Sequence, residues 1–223
     1  MKLLNAVMRI GRRATSSPSD RVKTLGHRAF VGAQNIELWH EIGKLQYHFL
    51  VSQGLRPHHK FLDIACGSLR LGQFLIPFLE EEHYFGLEAE PELVTAGLAG
   101  EFYHGVAGMK RPQFSYGYGF DFGFAAGYDY AIAQSLFTHL TLDDIEKCFR
   151  QLAIASSSSS RFYFTFFEGN DQQNPPIDSD PHEVWWYRFE QLQELAERSG
   201  WRLRYIGDWS HPRDQKMALA QLQ

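Results

Sequence analysis

Apolar positions along the chain alternate between two rhythms. Residues 35 to 54, NIELWHEIGKLQYHFLVSQG, return Leu38, Ile42, Leu45 and Phe49 at the spacing of one helix face. Asn35 is placed to cap that helix and Gly54 to stop it. KFLDIA follows as an unbroken apolar run, the pattern of a strand buried on both faces. A helix is expected from about Ser68, with Leu71, Phe74, Leu75 and Phe78 inward and Pro77 kinking or ending it. HYFGLEAEP reads as a second short strand stopping at Glu88, and Pro91 opens the next helix. QFSYGYGFDFGFAAG supplies a third strand and an ordered loop, and YDYAIAQS a fourth, doubly buried strand.

The second half keeps the alternation. FTHLTLDDIEKCFRQLA has a capping-box-like start at Thr141 and Asp144 and a core stripe of Ile145, Cys148, Phe149 and Leu152. The serine run at 156 to 160 is a loop, and RFYFTFF a fifth strand ending at Glu168. After a polar, proline-rich loop, residues 187 to 200 predict a helix stopped by Gly200. WRLRYIGDW and KMALAQL, joined around SHPRDQ with no helix between them, should pair as an antiparallel hairpin. The expected architecture is therefore α/β: a doubly wound, mostly parallel, seven-stranded sheet with an antiparallel C-terminal hairpin, over residues 35–223. Residues 1–34 read as an N-terminal tail and linker, because MKLLNAVMRIGRR is too interrupted for a signal peptide and ATSSPSD has linker composition.

Composition narrows the function. At 223 residues and 44% hydrophobic, the chain buries one sizeable core and is not disordered. A net charge of −4 argues against a polyanion-binding surface, and Arg202, Arg204, Arg213 and Lys216 form only a local basic cluster, so no nucleic-acid partner is expected. No apolar run approaches the roughly 20 residues a membrane span needs, so no stable membrane insertion is expected. Two cysteines, Cys66 and Cys148, make no disulfide framework and fit a cytoplasmic setting. His58 and His59 are adjacent, and His182 with Glu183 lacks a second histidine at helical spacing, so no metal site is expected. Serine, histidine and aspartate occur without a G-x-S-x-G elbow, which argues against a hydrolase.

The chemistry concentrates in FLDIACGSLRLGQFL, residues 61 to 75. Ligands of doubly wound sheets bind beyond the carboxyl ends of the strands, and this turn lies at the first such end. Ala65 and Gly67 keep it slim enough for a ligand to approach the backbone. Asp63 can take a cationic amine or brace the loop, and Glu88, closing the next strand, is placed to hold a ribose diol. A dinucleotide turn wants G-x-G-x-x-G to admit a pyrophosphate, whereas here Leu69 stands where a third glycine would be. A carboxylate at the mouth repels phosphate and suits a ligand with an ammonium group and no phosphate. S-adenosylmethionine is such a ligand, and an NAD-dependent oxidoreductase is the weaker reading.

FLDIACGSLRLG, YFGLEAEPEL, YDYAIAQSLFTHL and RFYFTFFEG resemble, in order and spacing, the nucleotide-binding motifs of class I S-adenosylmethionine-dependent methyltransferases. The resemblance runs from about Trp39 to Met217, and ELWHEIGKLQYHFL with YIGDWSHPRDQKM looks like a bacterial subgroup that points to no particular substrate. It implies a Rossmann-like sheet. Asp63, Ala65 and Gly67 match the first motif around the methionine moiety, and Glu88 the ribose-binding acid. Phe120, Asp121 and Phe122 match the segment that meets adenine, and Gln134 and Ser135 the end of the fourth strand beside the sulfonium. Ala65 and Leu69 stand where the family usually has glycines, and the serine run replaces its usual Pro-Gly-Gly turn.

The expected activity is methyl transfer to an oxygen or nitrogen of a small-molecule or glycan-type acceptor. A non-catalytic protein of the same fold, binding an adenosyl ligand or a partner, is the alternative. Two candidate bases lie near the ends of the fourth and fifth strands: His139, suited by its unperturbed pKa, and Glu168, if the flanking aromatics desolvate it. Cys66 reads as a packing residue. Trp39 reads as core rather than a cofactor lid, and Trp185, Trp186 and Tyr187 serve equally as acceptor pocket or as packing.

Overall fold

A computed structural model describes residues 18–32, 35–103 and 105–223. Helices α1 (Pro18–Leu25), α2 (His27–Phe30) and α3 (Ile36–Ser52) precede the first strand. The first half continues as β1 (Phe61–Ile64), α4 (Gly72–Phe78), β2 (Tyr84–Glu88), α5 (Pro91–Gly100), α6 (Val106–Lys110) and β3 (Gln113–Tyr116). The second half is β4 (Tyr130–Ala133), α7 (Leu142–Ala155), β5 (Arg161–Glu168), β6 (Trp186–Tyr187), α8 (Phe189–Arg198), β7 (Trp201–Gly207) and β8 (Lys216–Leu222).

The sheet runs β3-β2-β1-β4-β5-β8-β7, parallel from β3 to β5 and antiparallel through β8 and β7. This is the doubly wound sheet with a C-terminal hairpin, and its strand order reverses between β1 and β4. An eighth strand was not expected. Trp186 and Tyr187 pair in parallel with Phe167 and Glu168. That pairing holds them extended, so the helix expected from 187 begins at Phe189.

Side-chain alternation divides the core into two layers. Leu62, Ile64, Phe85, Leu87, Phe162, Phe164 and Ala218 face one cluster with Phe149 and Trp201. Phe61, Tyr84, Tyr130, Tyr163 and Leu219 face the other, with Leu50 and Leu75. Asp63, Glu88 and Thr165 share the parity of the second set, so the carboxyl-terminal halves of β1, β2 and β5 each put a polar side chain on the same face.

Two helices depart from expectation. The buried stripe of α3 is Trp39, Ile42, Gly43, Gln46 and Leu50, and Leu38, Leu45 and Phe49 are only half-buried. Gly43 explains the rotation, since a Cβ there would come within 2.7 Å of the Arg70 carbonyl oxygen and the Phe74 ring. The glycine lets α3 press directly on the turn that precedes α4. That turn delays α4 to Gly72 instead of Ser68, because Leu69 sits at φ 66°, outside helical space. Pro77 then falls in the last turn of α4.

The segment read as linker is helical from Pro18. Arg28 forms a two-pronged pair with Glu101 at 2.6 and 3.0 Å, and the Glu101 side chain is only 2% exposed. His27 meets the edge of the fully buried Trp39 ring at 6.0 Å, which makes Trp39 core. Residues 1 to 17, which include the basic stretch, lie outside the described residues.

Candidate functional site

The carboxyl ends of β1 and β2 hold two buried acids in different settings. Asp63 accepts a 2.7 Å hydrogen bond from the Tyr84 hydroxyl. Burial raises its pKa to about 7, opposed by the Tyr84 bond and assisted by the charge of Glu88. The structure therefore shows Asp63 bracing β1 against β2. Glu88 accepts from the backbone N–H groups of Gly67 at 2.8 Å, Ala89 at 2.8 Å and Glu90 at 3.1 Å. Burial raises its pKa, and the same N–H groups pull it back toward the charged form. Cys66 lies between the acids, and burial followed by the charges of Asp63 and Glu88 pushes its thiol well above its ordinary value. It is a packing residue.

The backbone here is unusual for the residues it carries. Ala65, Gly67 and Leu69 all adopt left-handed φ, at 58°, 54° and 66°. Where the resembled family usually has glycine, this chain places Ala65 and Leu69 in a conformation that glycine adopts more cheaply. Phe120, at φ 56°, and Ser135, at φ 60°, repeat the feature at the other strand ends. Such strain concentrates at ligand sites because surrounding contacts must hold it. Phe120 and Phe122 stack at 6.2 Å between centroids, and the Asp121 carboxylate accepts from the Gly123 N–H at 3.0 Å. Above the first turn Val31 packs over Gly67 so closely that a Cβ there would lie 3.3 Å from it.

Beyond β4 and β5 the sequence signal was thinner. The Ser135 N–H donates to the Thr165 hydroxyl at 2.7 Å, and that hydroxyl donates to Gln215 Oε1 at 2.8 Å. Gln134 Nε2 donates to Ser135 Oγ at 2.6 Å and lies 3.2 Å from both Gln215 Oε1 and His211 Nε2. Thr165, His211 and Gln215 are buried. His211 stacks on Trp209 at 5.2 Å, and burial followed by the charges of Arg213 and Arg70 lowers its pKa to about 4. Gln134 and Ser135 thus belong to a closed network with Thr165, His211 and Gln215, three residues that sequence reasoning missed. The parity of Thr165 with Tyr163 was the one available signal.

His139 ends a single 3-10 turn, Phe137–His139, directly after β4. Its Nδ1 lies 2.6 Å from the Glu183 carbonyl oxygen. A carbonyl only accepts, so Nδ1 carries the proton and Nε2 keeps its lone pair. Burial lowers the His139 pKa, against the Glu183 bond and the charge of Asp180, with Arg213 lowering it further. Glu168 is not brought to this group. It is exposed, accepts from the Tyr205 hydroxyl at 2.7 Å, and has the parity of Phe164, opposite to Thr165. The aromatics that share its face do not cover it, because Glu168 is the last residue of β5 and stays exposed there. Trp185 and Tyr187 are buried and, with Asp171 and Asn174, line a cavity of about 290 Å³.

Two arginines meet the segment above the first turn. Arg70 follows the first turn, lies 4.8 Å over the Trp39 ring and donates to the Val31 carbonyl oxygen at 3.1 Å. Arg213 donates to the next carbonyl, that of Gly32.

No family profile and no curated protein matches the sequence. Solved structures do match the fold. Magnesium protoporphyrin IX methyltransferase from Synechocystis, solved with bound S-adenosylhomocysteine, superposes with TM-score 0.66 at 14% identity, over 92% of this chain and 98% of that one. The glycopeptide N-methyltransferase MtfA, complexed with S-adenosylmethionine, gives 0.64 at 14% identity over 81% and 94%. A candidate O-methyltransferase from Nostoc punctiforme gives 0.60 at 17% identity over 82% of this chain, which spans only 59% of that protein. The chain has the fold of class I S-adenosylmethionine-dependent methyltransferases.

Proposed function

We propose that this chain is an S-adenosylmethionine-dependent methyltransferase acting on an oxygen or nitrogen of a small-molecule or glycan-type acceptor. The observation that carries the reading is the buried Glu88 carboxylate, fixed by three backbone N–H groups beside the slim Gly67 turn. Those bonds leave lone-pair capacity for a ribose hydroxyl. Ala65 and Gly67 would border the methionine moiety, and Phe120, Asp121 and Phe122 the adenine. The first turn lacks the three glycines that admit a dinucleotide's pyrophosphate, with Leu69 at the third, which favours this donor over a dinucleotide. The ligands named in the Synechocystis and MtfA structures support the same choice.

S-adenosylmethionine, when bound, supplies an electrophilic methyl group. The chain's part is to align the acceptor with it and to remove a proton where the acceptor has one to lose. His139 Nε2 is the proposed base, since Nδ1 is committed to the Glu183 carbonyl. The reading includes a cytoplasmic setting, supported by two buried, unpaired cysteines. Among the described residues no helix is long and apolar enough to cross a membrane.

Calorimetry with S-adenosylhomocysteine and, separately, NAD tests the assignment: heat with the first and none with the second is expected. No binding of S-adenosylhomocysteine at millimolar concentration overturns it. Once an acceptor is found, His139→Ala should keep donor affinity and lose about a hundredfold or more in turnover.

A further inference from the structure

Arg70 and Arg213 come from separate parts of the chain, one from the first-motif turn and one from the loop between β7 and β8. They meet at neighbouring carbonyls of one short segment, Val31 and Gly32. Among the described residues neither forms an ion pair, although Arg28 nearby is fully engaged with Glu101. Arg70 Nε is buried without any hydrogen-bond partner. Burial and the neighbouring Arg213 lower the Arg70 pKa to about 10, and no carboxylate offsets them. Two guanidinium groups sharing only neutral carbonyls keep several N–H donors free, arranged as forks that fit a carboxylate or phosphate.

Their position indicates which ligand they face. The Arg213 backbone N–H donates to His211 Nδ1 at 3.3 Å, and His211 Nε2 lies 3.2 Å from Gln134 Nε2, just past the end of β4. The pair therefore stands between the first-motif turn and the loop that meets the end of β4, where the sulfonium methyl would point. We infer that the acceptor carries an anionic group, a carboxylate or a phosphate, which Arg70 and Arg213 hold while its nucleophile is presented to His139. This rests on the methyltransferase reading. It narrows the acceptor to an acid or a phosphorylated compound, and it gives the Val31 and Gly32 carbonyls the role of neutral placeholders that the anion displaces.

The donor's own carboxylate is the competing source of negative charge, and the experiment separates the two. Benzoate and inorganic phosphate are titrated into protein saturated with S-adenosylhomocysteine, following the arginine side-chain N–H signals by NMR. Wild type should bind at least one of them. Arg213→Met, at a half-buried position that tolerates the change, should weaken that binding about tenfold or more. Arg213→Lys should recover part of it, and S-adenosylhomocysteine affinity should not move. Arg70→Met repeats the test on the buried partner.

The inference is overturned if neither anion binds the saturated wild-type protein. It is equally overturned if Arg213→Met weakens S-adenosylhomocysteine but not 5′-methylthioadenosine, which lacks the carboxylate. Failure of wild type to bind S-adenosylhomocysteine at all would instead remove the methyltransferase reading, and the same anion titration on the ligand-free protein would then decide the arginine site alone.

Discussion

Around β1 and β2, the residues proposed to face the donor lie in one turn and on the strand beside it, and the bonds that shape them run through the main chain. Glu88 is held by the N–H groups of Gly67, Ala89 and Glu90. Around β4 and β5, Ser135, Thr165, His211 and Gln215 come from separate stretches and bond largely side chain to side chain. The first arrangement depends on backbone geometry and needs few particular side chains. The second needs all its members at once, because losing one strands a buried donor or acceptor. One region is written in a motif, and the other is assembled by the fold.

The largest effect is expected from breaking the donor side. Glu88→Ala removes the carboxylate that would hold the ribose and also frees three backbone N–H groups. S-adenosylhomocysteine affinity should fall roughly a hundredfold, since charge-assisted bonds contribute about 1.5–3 kcal/mol each. Unchanged calorimetric affinity in a folded variant would refute the ribose role.

Next comes the network side. Thr165→Val keeps the shape but leaves the Ser135 N–H and Gln215 Oε1 without the Thr165 hydroxyl. A cost of about 2 kcal/mol is expected, which lowers Tm by roughly 4–8 °C for a domain of this size. Donor affinity should stay within about threefold of wild type if the two regions are independent. A loss of donor affinity as large as that of Glu88→Ala would show that they are one unit.

The two regions should also answer pH in opposite directions. His211 has its native pKa near 4 against an ordinary 6.5, so below pH 6.5 the unfolded chain takes up a proton that the native state refuses. Stability is lost from pH 6.5 down to about 4, by up to about 3 kcal/mol. Asp63 has its native pKa near 7 against an ordinary 3.8, so the native state keeps a proton that the unfolded chain has released. Stability from this group is present in acid and is lost as pH rises toward 7. Between about pH 4 and 6.5 the two slopes oppose each other. Against wild type, Asp63→Asn should make Tm fall more steeply on acidification, and His211→Asn should make it fall less or rise. Melting curves at four pH values suffice, and parallel profiles for all three proteins would remove both assignments.

The smallest effect is expected at Ala65. Replacing it by glycine relieves a left-handed residue, by about 1–2 kcal/mol, against a glycine entropy cost of about 0.5–1 kcal/mol. Ala65→Gly should therefore stabilise by about 0–1.5 kcal/mol in urea unfolding. A loss exceeding 1 kcal/mol would show that the Ala65 methyl is needed in the turn.

Much of the fold was legible because its signals are local. Strand-helix alternation, the Asn35 cap that accepts the Leu38 N–H, the core stripe of α7 and the helix-free join before β8 all depend on residues a few positions apart. The same holds for Glu88 at its strand end beside the slim turn, since strand register sets both. Tertiary structure alone decided the rest. The stripe of α3 rotated because Gly43 meets the turn before α4, and α4 started late because packing holds Leu69 left-handed. Strand parity separated Glu168 from Thr165, a distinction the sequence contains but the apolar run RFYFTFF hides. The Gln134–Ser135–Thr165–His211–Gln215 network and the Arg70–Arg213 pair join stretches that no short-range pattern connects. Periodicity records which face a side chain takes along its own element, whereas a polar partner from a distant loop is fixed only once the sheet has brought the strand ends together.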